Sequence, residues 1–558
     1  LTFRTLAALL LFTSSLAAQT RQHAQAPAPR TVTVQLLAIN DLHGNLEPPA
    51  GRGGTVNGVP AGGTEYLAAH LASAERDNPN SLVVGAGDMF GASPLLSALF
   101  HEAPTIEALN AMHFSVTSLG NHELDHGAGT LKGELAGGCP TAAPCSAEER
   151  NEPARFTYLA ANVLNSEHPQ RTLFPTTAIR TVGGVRIGFI GEVLEHIEEV
   201  TAANSLKGLQ FLEESKVANA AAARLESQGV HTIVLLIHQG GGQRAAKGEP
   251  DINGCDNFSG PIKDIVPLLS PSIKVVLSAH THQFYNCQIA GHTVTSAGSY
   301  GRLFTRVSLT IDRRTDRTLA VTATNQIVTR DVAKDPAQTA ILDKYRPRVA
   351  RVADQPAGAI TADILSKPNA AGESALGDVI ADAQLASTSA PENGGAVIAF
   401  MNSGGIRGEL TRAADAAGVR SISFGDLYSV QPFGNQITVR TMTGDMVRRL
   451  LEQQFGPSDT HRTLQVSAGF RYQYKQHAAA GEHIVPGSIT LNGHVIAPTD
   501  TLRVACSDFL ANGGDGYTVF REGTSAIVGV VDIDALVQYF RTHSPVAPGP
   551  QDRITRVD

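Results

Sequence analysis

The chain has 558 residues, 42% hydrophobic, 17% charged and 5% aromatic, with no Trp, and its formal charge is 44 minus 52, or −8. At roughly 100–200 residues per domain this length exceeds one ordinary core and predicts two sizeable domains, while the composition excludes disordered and collagen-like chains. The net negative field repels polyanions and argues against a nucleic-acid polymer as partner. Five Cys without a C-x-x-C pair exclude a thiolate zinc site and a thioredoxin-like motif.

Residues 1–26 read as a signal peptide and disordered lead: Arg4, an apolar stretch from Leu6 to Phe12, then Ser15-Leu16-Ala17 as a cleavage site. A membrane anchor needs roughly 20 apolar residues, and this run is too short. The segment from Pro545 to Asp558 is polar. The expectation is an exported protein, periplasmic or secreted, without a permanent membrane anchor. Export permits disulfides. Cys139 with Cys145 and Cys255 with Cys287 are the expected pairs, and Cys506, in the apolar run LRVAC, is the expected buried free thiol.

Over 31–334, short Val/Ile/Leu-rich runs alternate with helical stretches, the pattern of an α/β domain. Runs 32–39, 82–87, 114–120, 185–191, 232–237 and 274–279 are predicted as buried strands, being too short for independent helices. Residues 335–356 form a linker in which Asp335 to Val352 is expected to be a single exposed helix. A second α/β or α+β unit is expected over 357–545, with a strand at 396–401 and a helix at 444–455.

The residues just after these runs carry the chemistry. The first run delivers Asn40-Asp41-Leu42-His43-Gly44, the second Asp88, the third Asn121-His122-Glu123, the fifth His238 and the sixth His280-Thr281-His282. In α/β sheets the loops beyond the strands' carboxyl ends converge in one crevice, so groups distant in sequence can meet there. Oxygen and nitrogen donors without thiolate suit zinc, manganese or iron(II) better than calcium. Seven donors, Asp41, His43, Asp88, Asn121, His238, His280 and His282, are too many for one tetrahedral ion and suit two divalent ions sharing a carboxylate. A lone His after a strand is usually a surface or hydrogen-bonded residue. In the H-x-H pair, alternation is expected to set both rings on one strand face. Co-occurrence of these motifs, each after an apolar run, favours the metal reading.

The second half holds Asn402-Ser403-Gly404-Gly405-Ile406-Arg407, Pro432-Phe433-Gly434-Asn435 and Asp508-Phe509 through Asp515-Gly516. Paired Gly lets backbone approach a ligand closely, and Arg407 can clamp an oxyanion bidentately. Phe433 and Phe509, in Gly-rich contexts, could sandwich a nucleobase at about 1–3 kcal/mol per stacked base. Ordinary packing under a loop is the alternative for either ring.

Together these motifs resemble the calcineurin-like metallophosphatases, in the branch of secreted 5′-nucleotidases and UDP-sugar hydrolases, over nearly the whole chain beyond its leader. The resemblance implies an α/β fold: a four-layer α/β/β/α metallophosphatase domain joined by a helix to a second α/β (α+β) substrate-binding domain. It implies one metal held by Asp41, His43, Asp88 and His282, another by Asp88, Asn121, His238 and His280, and a catalytic dyad of His122 and Asp125. Asn402, Gly405 and Arg407 would contact phosphate or ribose, Phe433 and Phe509 would stack the base, and Asp515 would bind ribose hydroxyls. The implied activity is hydrolysis of nucleoside 5′-phosphates, with nucleotide diphosphates and UDP-sugars as further candidates, by water activated by two divalent ions of the zinc, manganese or iron class. A 2′,3′-cyclic-nucleotide phosphodiesterase with 3′-nucleotidase activity and a catalytically silent nucleotide-binding surface protein are the alternatives. Three departures stand out. Ala279 replaces the family's usual Gly before the first histidine of the pair, which would strain the loop if positive φ were required there. Lys367 is the nearest basic residue where an arginine often precedes the Gly372 stretch. Asp508 stands where Asn usually precedes the second Phe.

Overall fold

The computed structural model describes residues 29–558 apart from 50, 139–149, 246–248, 417 and 457–461. The expected signal segment and the Cys139–Cys145 pair fall outside the described residues. The first domain is built on two six-stranded sheets. One runs, edge to edge, Arg317–Ile327, Leu303–Asp312, Thr31–Ile39, Ser81–Gly85, Phe114–Ser118, Thr157–Leu159; the other runs Phe284–Ile289, His292–Ala297, Ile273–Ser278, Thr232–His238, Val185–Val193, Thr177–Val182.

All six predicted strands form, and burial on both faces explains why they read as continuous apolar runs rather than alternating ones. In Thr31–Ile39, Val34, Leu36 and Ala38 face the core between the sheets, where they meet Phe189, Val234, Leu236, Val275 and Leu277. Leu37 and Ile39 point the other way, into a core built with Leu67, Leu71, Ile106 and Leu109 of the helices Thr64–Asp77 and Ala103–Ala111. On the far side, Ala218, Ala222 and Leu225 of the helix Glu214–Ser227 cover Ile190, Ile233 and Leu235. Helix, sheet, sheet, helix is the resulting layer order. The strands carrying the motifs are mutually parallel within each sheet, so their carboxyl ends open to one side. Cys255 and Cys287 are joined by a disulfide, and Cys506 is a buried free thiol. Among the described residues no helix is long and apolar enough to cross a membrane.

The linker helix spans Pro336–Ala353 and is not the exposed helix expected. Gln338, Leu342, Tyr345 and Val349 form one buried face and complete the first domain's core. Tyr345 Oη and Lys344 Nζ both donate to Glu107, each at 2.7 Å. The charged residues between these positions made the helix read as solvated, but their apolar stems leave a face wide enough to bury.

The second domain centres on a five-stranded sheet, in the order Leu464–Val466, Ile398–Asn402, Thr501–Ser507, Gln436–Thr443, Thr524–Val531, packed against the helices Ala375–Thr388 and Asp532–His543. It runs past the expected end at 545: the strand Ile554–Arg556 pairs in parallel with Phe470–Tyr474. Arg553, 5% exposed, fixes this tail by two 2.8 Å bonds to the Asp382 carboxylate and one of 2.7 Å to the Val466 carbonyl. Removing one partner of a buried pair leaves the other charge uncompensated. Arg553→Ala is therefore expected to destabilise the chain by about 3–5 kcal/mol in urea unfolding; a loss below about 1 kcal/mol would show that the tail is an appendage.

Candidate metal and nucleotide site

Five of the seven expected donors sit in left-handed backbone: Asp41 (φ 48°), His43 (48°), Asp88 (52°), His280 (74°) and His282 (56°). Non-glycine residues there cost roughly 1–3 kcal/mol each and persist only where their surroundings over-determine them. The surroundings here are the loops themselves. Asp41 N–H donates to the Gly87 carbonyl (3.1 Å), His43 N–H to the Asp88 carbonyl (2.9 Å), and His280 N–H to both oxygens of Asp41 (3.1 Å each). Gly120 lies so close beneath Asp88 that a Cβ would fall 2.1 Å from Asp88 Oδ1. The H-x-H pair is not on a strand face as expected. The strand ends at Ser278, and both histidines turn inward from the next loop through their own positive φ. Ala279 lacks that conformation and is buried in the core, so its departure from the usual Gly introduces no strain.

The loops bring all seven donors together. Asp88 Oδ2 lies 3.5 Å from His43 Nε2 and 3.1 Å from His238 Nε2. On one side of it, His43 Nε2 and His282 Nε2 are 3.0 Å apart, and Asp41 Oδ1 is 3.6 Å from His282 Nε2. On the other, Asn121 Oδ1 is 3.1 Å from His238 Nε2 and 3.0 Å from His280 Nδ1. His43 Nδ1 and His238 Nδ1 are each engaged by a backbone carbonyl, of Gly91 and Ala86, both at 2.9 Å. That leaves His238 Nε2 facing the lone pairs of Asp88 and Asn121, and His43 Nε2 facing those of Asp88 and His282 with the Arg407 guanidinium 3.2 Å away, a crowding that a proton or a cation relieves. Burial, together with the nearby Arg407 and His charges, holds His43 and His282 well below the ordinary imidazole range, and burial with the His238 charge pushes His280 to about 3. Neutral imidazoles are the form a metal binds. Burial pushes Asp41 up to about 7. Burial opposes the charge on His238, yet Asp88 and Asp41 lift it to about 9. The pocket thus needs positive charge at its centre, and its donor set fits divalent cations.

His122 stands beside this cluster, its Nδ1 2.8 Å from Asp125 Oδ2 and its backbone N–H on Asp88 Oδ1 at 2.9 Å. Burial disfavours its charge, but Asp125 and Asp88 outweigh that and raise its pKa. Arg407 reaches in from the second domain, with Nη2 3.2 Å from His43 Nε2 and its guanidinium 5.5 Å from the Phe433 ring centre. Phe433 in turn lies 5.6 Å from the His122 ring. Asn402 Nδ2 donates to Asp515 Oδ2 at 2.7 Å, with Gly405 buried beside them. Phe509, on the short helix Asp508–Ala511, packs on Gly514. Phe433 and Phe509 make no ring contact with each other among the described residues.

Sequence reasoning gave no role to Glu123. Its carboxylate accepts from the backbone N–H groups of Asp88 (3.0 Å), Met89 (2.7 Å) and Gly120 (2.8 Å) and from Tyr158 Oη (2.9 Å). One buried side chain thereby ties the loop that carries Asp88 to the loop that carries Asn121. The available signal was a carboxylate between His122 and Leu124 with no place in the ligand set.

A four-layer α/β/β/α sandwich that gathers Asp, Asn and His donors at its strand ends is a metallophosphatase domain. The family model for calcineurin-like phosphoesterase matches residues 34–284, and that for the 5′-nucleotidase C-terminal domain matches 349–522. The chain is 31% identical over 544 residues to cell wall protein Lmo0130 of Listeria monocytogenes, covering 93% of this chain and 68% of that one. It is 29% identical over 537 residues to endonuclease YhcR of Bacillus subtilis, covering 94% of this chain but only 41% of that longer protein. The crystal structure of a 5′-nucleotidase precursor from Thermus thermophilus superposes with a TM-score of 0.75 at 25% identity, covering 94% of this chain and all of that one. The chain belongs to the calcineurin-like phosphoesterases that carry a 5′-nucleotidase C-terminal domain, and by class is a metal-dependent phosphoric monoester hydrolase.

Glu123→Gln keeps the size of the side chain but offers one acceptor where the carboxylate offers two. It is expected to weaken metal binding about 10–100-fold, as loss of groups that orient ligands does, in competition titration against a chelating chromophore. Unaltered affinity would show that the loops hold without it.

Proposed function

We propose that the protein is an exported two-metal 5′-nucleotidase acting on nucleoside 5′-phosphates. The observation that carries this reading is that Arg407 of the second domain lies against His43 of the donor cluster, between that cluster and the Phe433 ring. A phosphate-binding group and an aromatic platform thus face the same point. In this reading Asp41, His43, Asp88 and His282 hold one divalent cation, Asp88, Asn121, His238 and His280 hold the other, and Asp88 is shared. Such cations, when bound, neutralise phosphate oxygens and make water nucleophilic at neutral pH.

The chain's own residues do the rest. Arg407 orients the phosphoryl group through its planar fork. His122, gripped at Nδ1 by Asp125, presents Nε2 to the leaving ribose oxygen and delivers a proton to it. Phe433 and Phe509 hold the base, while Asn402, Gly405 and Asp515 hold the ribose. Export is supported by the apolar lead at residues 6–12 and by the similarity to a protein named for the cell wall.

A cyclic-nucleotide phosphodiesterase with 3′-nucleotidase activity has one observation in its favour, the similarity to a relative named an endonuclease. Phosphate release from 5′-AMP, 3′-AMP and 2′,3′-cyclic AMP separates the readings: 5′-AMP is expected to be the preferred substrate, and UDP-sugars and nucleoside diphosphates belong in the same panel. Excess chelator is expected to abolish turnover, whereas undiminished hydrolysis in chelator contradicts the proposal. His122→Ala is expected to lower kcat at least ~100-fold with metal content retained; a loss of metal instead would make His122 a ligand rather than a proton donor.

A further inference from the structure

The imidazoles of the donor cluster are not all held alike. His43 and His238 each have Nδ1 engaged by a backbone carbonyl, and His280 turns its Nδ1 toward Asn121. His282 has no carbonyl or carboxylate on its Nδ1 among the described residues, and its side chain is 24% exposed. Metal-binding imidazoles are ordinarily oriented by a partner on the second nitrogen, so another group must set the direction of this ring.

Tyr300 is placed to do so. It lies in the loop between the strands His292–Ala297 and Leu303–Asp312. Its ring centre is 5.4 Å from that of His282 and 5.9 Å from that of His43, with the planes crossing at 78° and 61°. Both are edge-on contacts, whose preferred geometry restrains the rings that make them. The two imidazoles are themselves 4.9 Å apart, so the three rings close a triangle. The other half of the cluster has no such wall: His238 and His280 meet each other at 5.3 Å, and among the described residues no Phe or Tyr ring touches either.

The loop holds that ring against a backbone preference. Tyr300 has φ 61° and, among the described residues, is the only Phe or Tyr with positive φ, a conformation that bulky side chains take only under constraint. The constraint comes residue by residue from the segment that carries the first ligands. Asn40 Nδ2 donates to the Gly298 carbonyl (2.7 Å), and its Oδ1 accepts the Ala297 N–H (2.8 Å). Tyr300 N–H donates to the Asp41 carbonyl (2.8 Å), and a Cβ on Gly301 would come within 3.2 Å of Leu42 Cδ1. Over the Tyr300 ring, 5.5 Å from its centre, lies the Arg302 guanidinium, which donates to the Ser299 carbonyl (3.1 Å) and hydroxyl (2.8 Å). The Tyr300 hydroxyl makes no hydrogen bond to a described residue, so the ring is the part that acts on the site. Tyr300 also borders a cavity of about 500 Å³ between the domains, so removing the ring enlarges existing space rather than opening a closed core.

We propose that Tyr300 is a positioning residue for one half of the donor cluster: its ring fixes the directions of the His43 and His282 rings, so that its loss weakens the cation site of Asp41, His43, Asp88 and His282 and spares that of Asn121, His238 and His280. The assignment rests on the two-cation reading given above and adds to it an asymmetry, one half being oriented by a packed aromatic ring and the other by hydrogen bonds alone.

The test is zinc titration of the full chain against a chelating chromophore, with anomalous diffraction from crystals grown at limiting zinc to show which half is filled. Gly and Asn both accept left-handed backbone, so Tyr300→Gly and Tyr300→Asn remove the ring without straining the loop, while Tyr300→Phe keeps the ring. Tyr300→Phe is expected to match wild type. The Gly and Asn variants are expected to bind one of the two ions about 10–100-fold more weakly, with anomalous density lost among Asp41, His43 and His282 and kept among Asn121, His238 and His280. Equal weakening of both ions, no weakening of either, a Phe variant as deficient as the Gly variant, or failure of both ring-less variants to fold overturns the assignment. Wild-type protein that takes up fewer than two ions would instead refute the two-cation reading itself.

Discussion

The structure depends on an electrostatic requirement at one atom. Asp88 Oδ2 is buried between two imidazole nitrogens whose other ring nitrogens are engaged by backbone carbonyls. Lone pairs pressed together at about 3 Å repel unless positive charge lies among them. The left-handed backbone at five donors, the absence of a side chain at Gly120 and the four donors converging on Glu123 all serve to hold those lone pairs in place. Each loop is stabilised by a neighbouring loop rather than by itself. Disturbance of one ligand loop is therefore transmitted to the others, and the parallel strands beneath supply the rigid base such a constellation needs.

The second domain reaches this centre through Arg407. Arg407 and Phe433 come from segments outside the first domain's sheets, and they reach His43 and His122 from the second domain. The Pro336–Ala353 helix belongs energetically to the first domain, since its buried face completes that core. Its end also meets the second domain: Phe424 and Tyr428 pack against the same core, and a Cβ at Gly425 would fall 3.0 Å from Ala353 Cβ.

Most of this was legible in the sequence for a physical reason. Strands buried on both faces leave unbroken Val/Ile/Leu runs, and donors placed directly after those runs are positioned by topology alone. The features that were not legible depended on local conformation or long-range packing. Period-2 alternation put His280 and His282 on a strand that in fact ends at Ser278, because nothing in Ala279-His280-Thr281-His282 marks the turn except the unusual φ of the histidines themselves. The helix face of Leu342, Tyr345 and Val349 was hidden by intervening charges. The strand Ile554–Arg556 is three residues long and is held by Arg553 rather than by an apolar run. Glu123 escaped notice because its importance lies in what it touches, and no residue spacing encodes that.

The central claim is that these seven side chains hold a pair of divalent cations about Asp88. Diffraction data from the purified protein, collected at the absorption edges of zinc, manganese and iron, test it directly. The account predicts two anomalous peaks flanking the Asp88 carboxylate, one among Asp41, His43 and His282 and the other among Asn121, His238 and His280. A map without anomalous density between these residues, from protein that still releases phosphate from nucleotides, would contradict it.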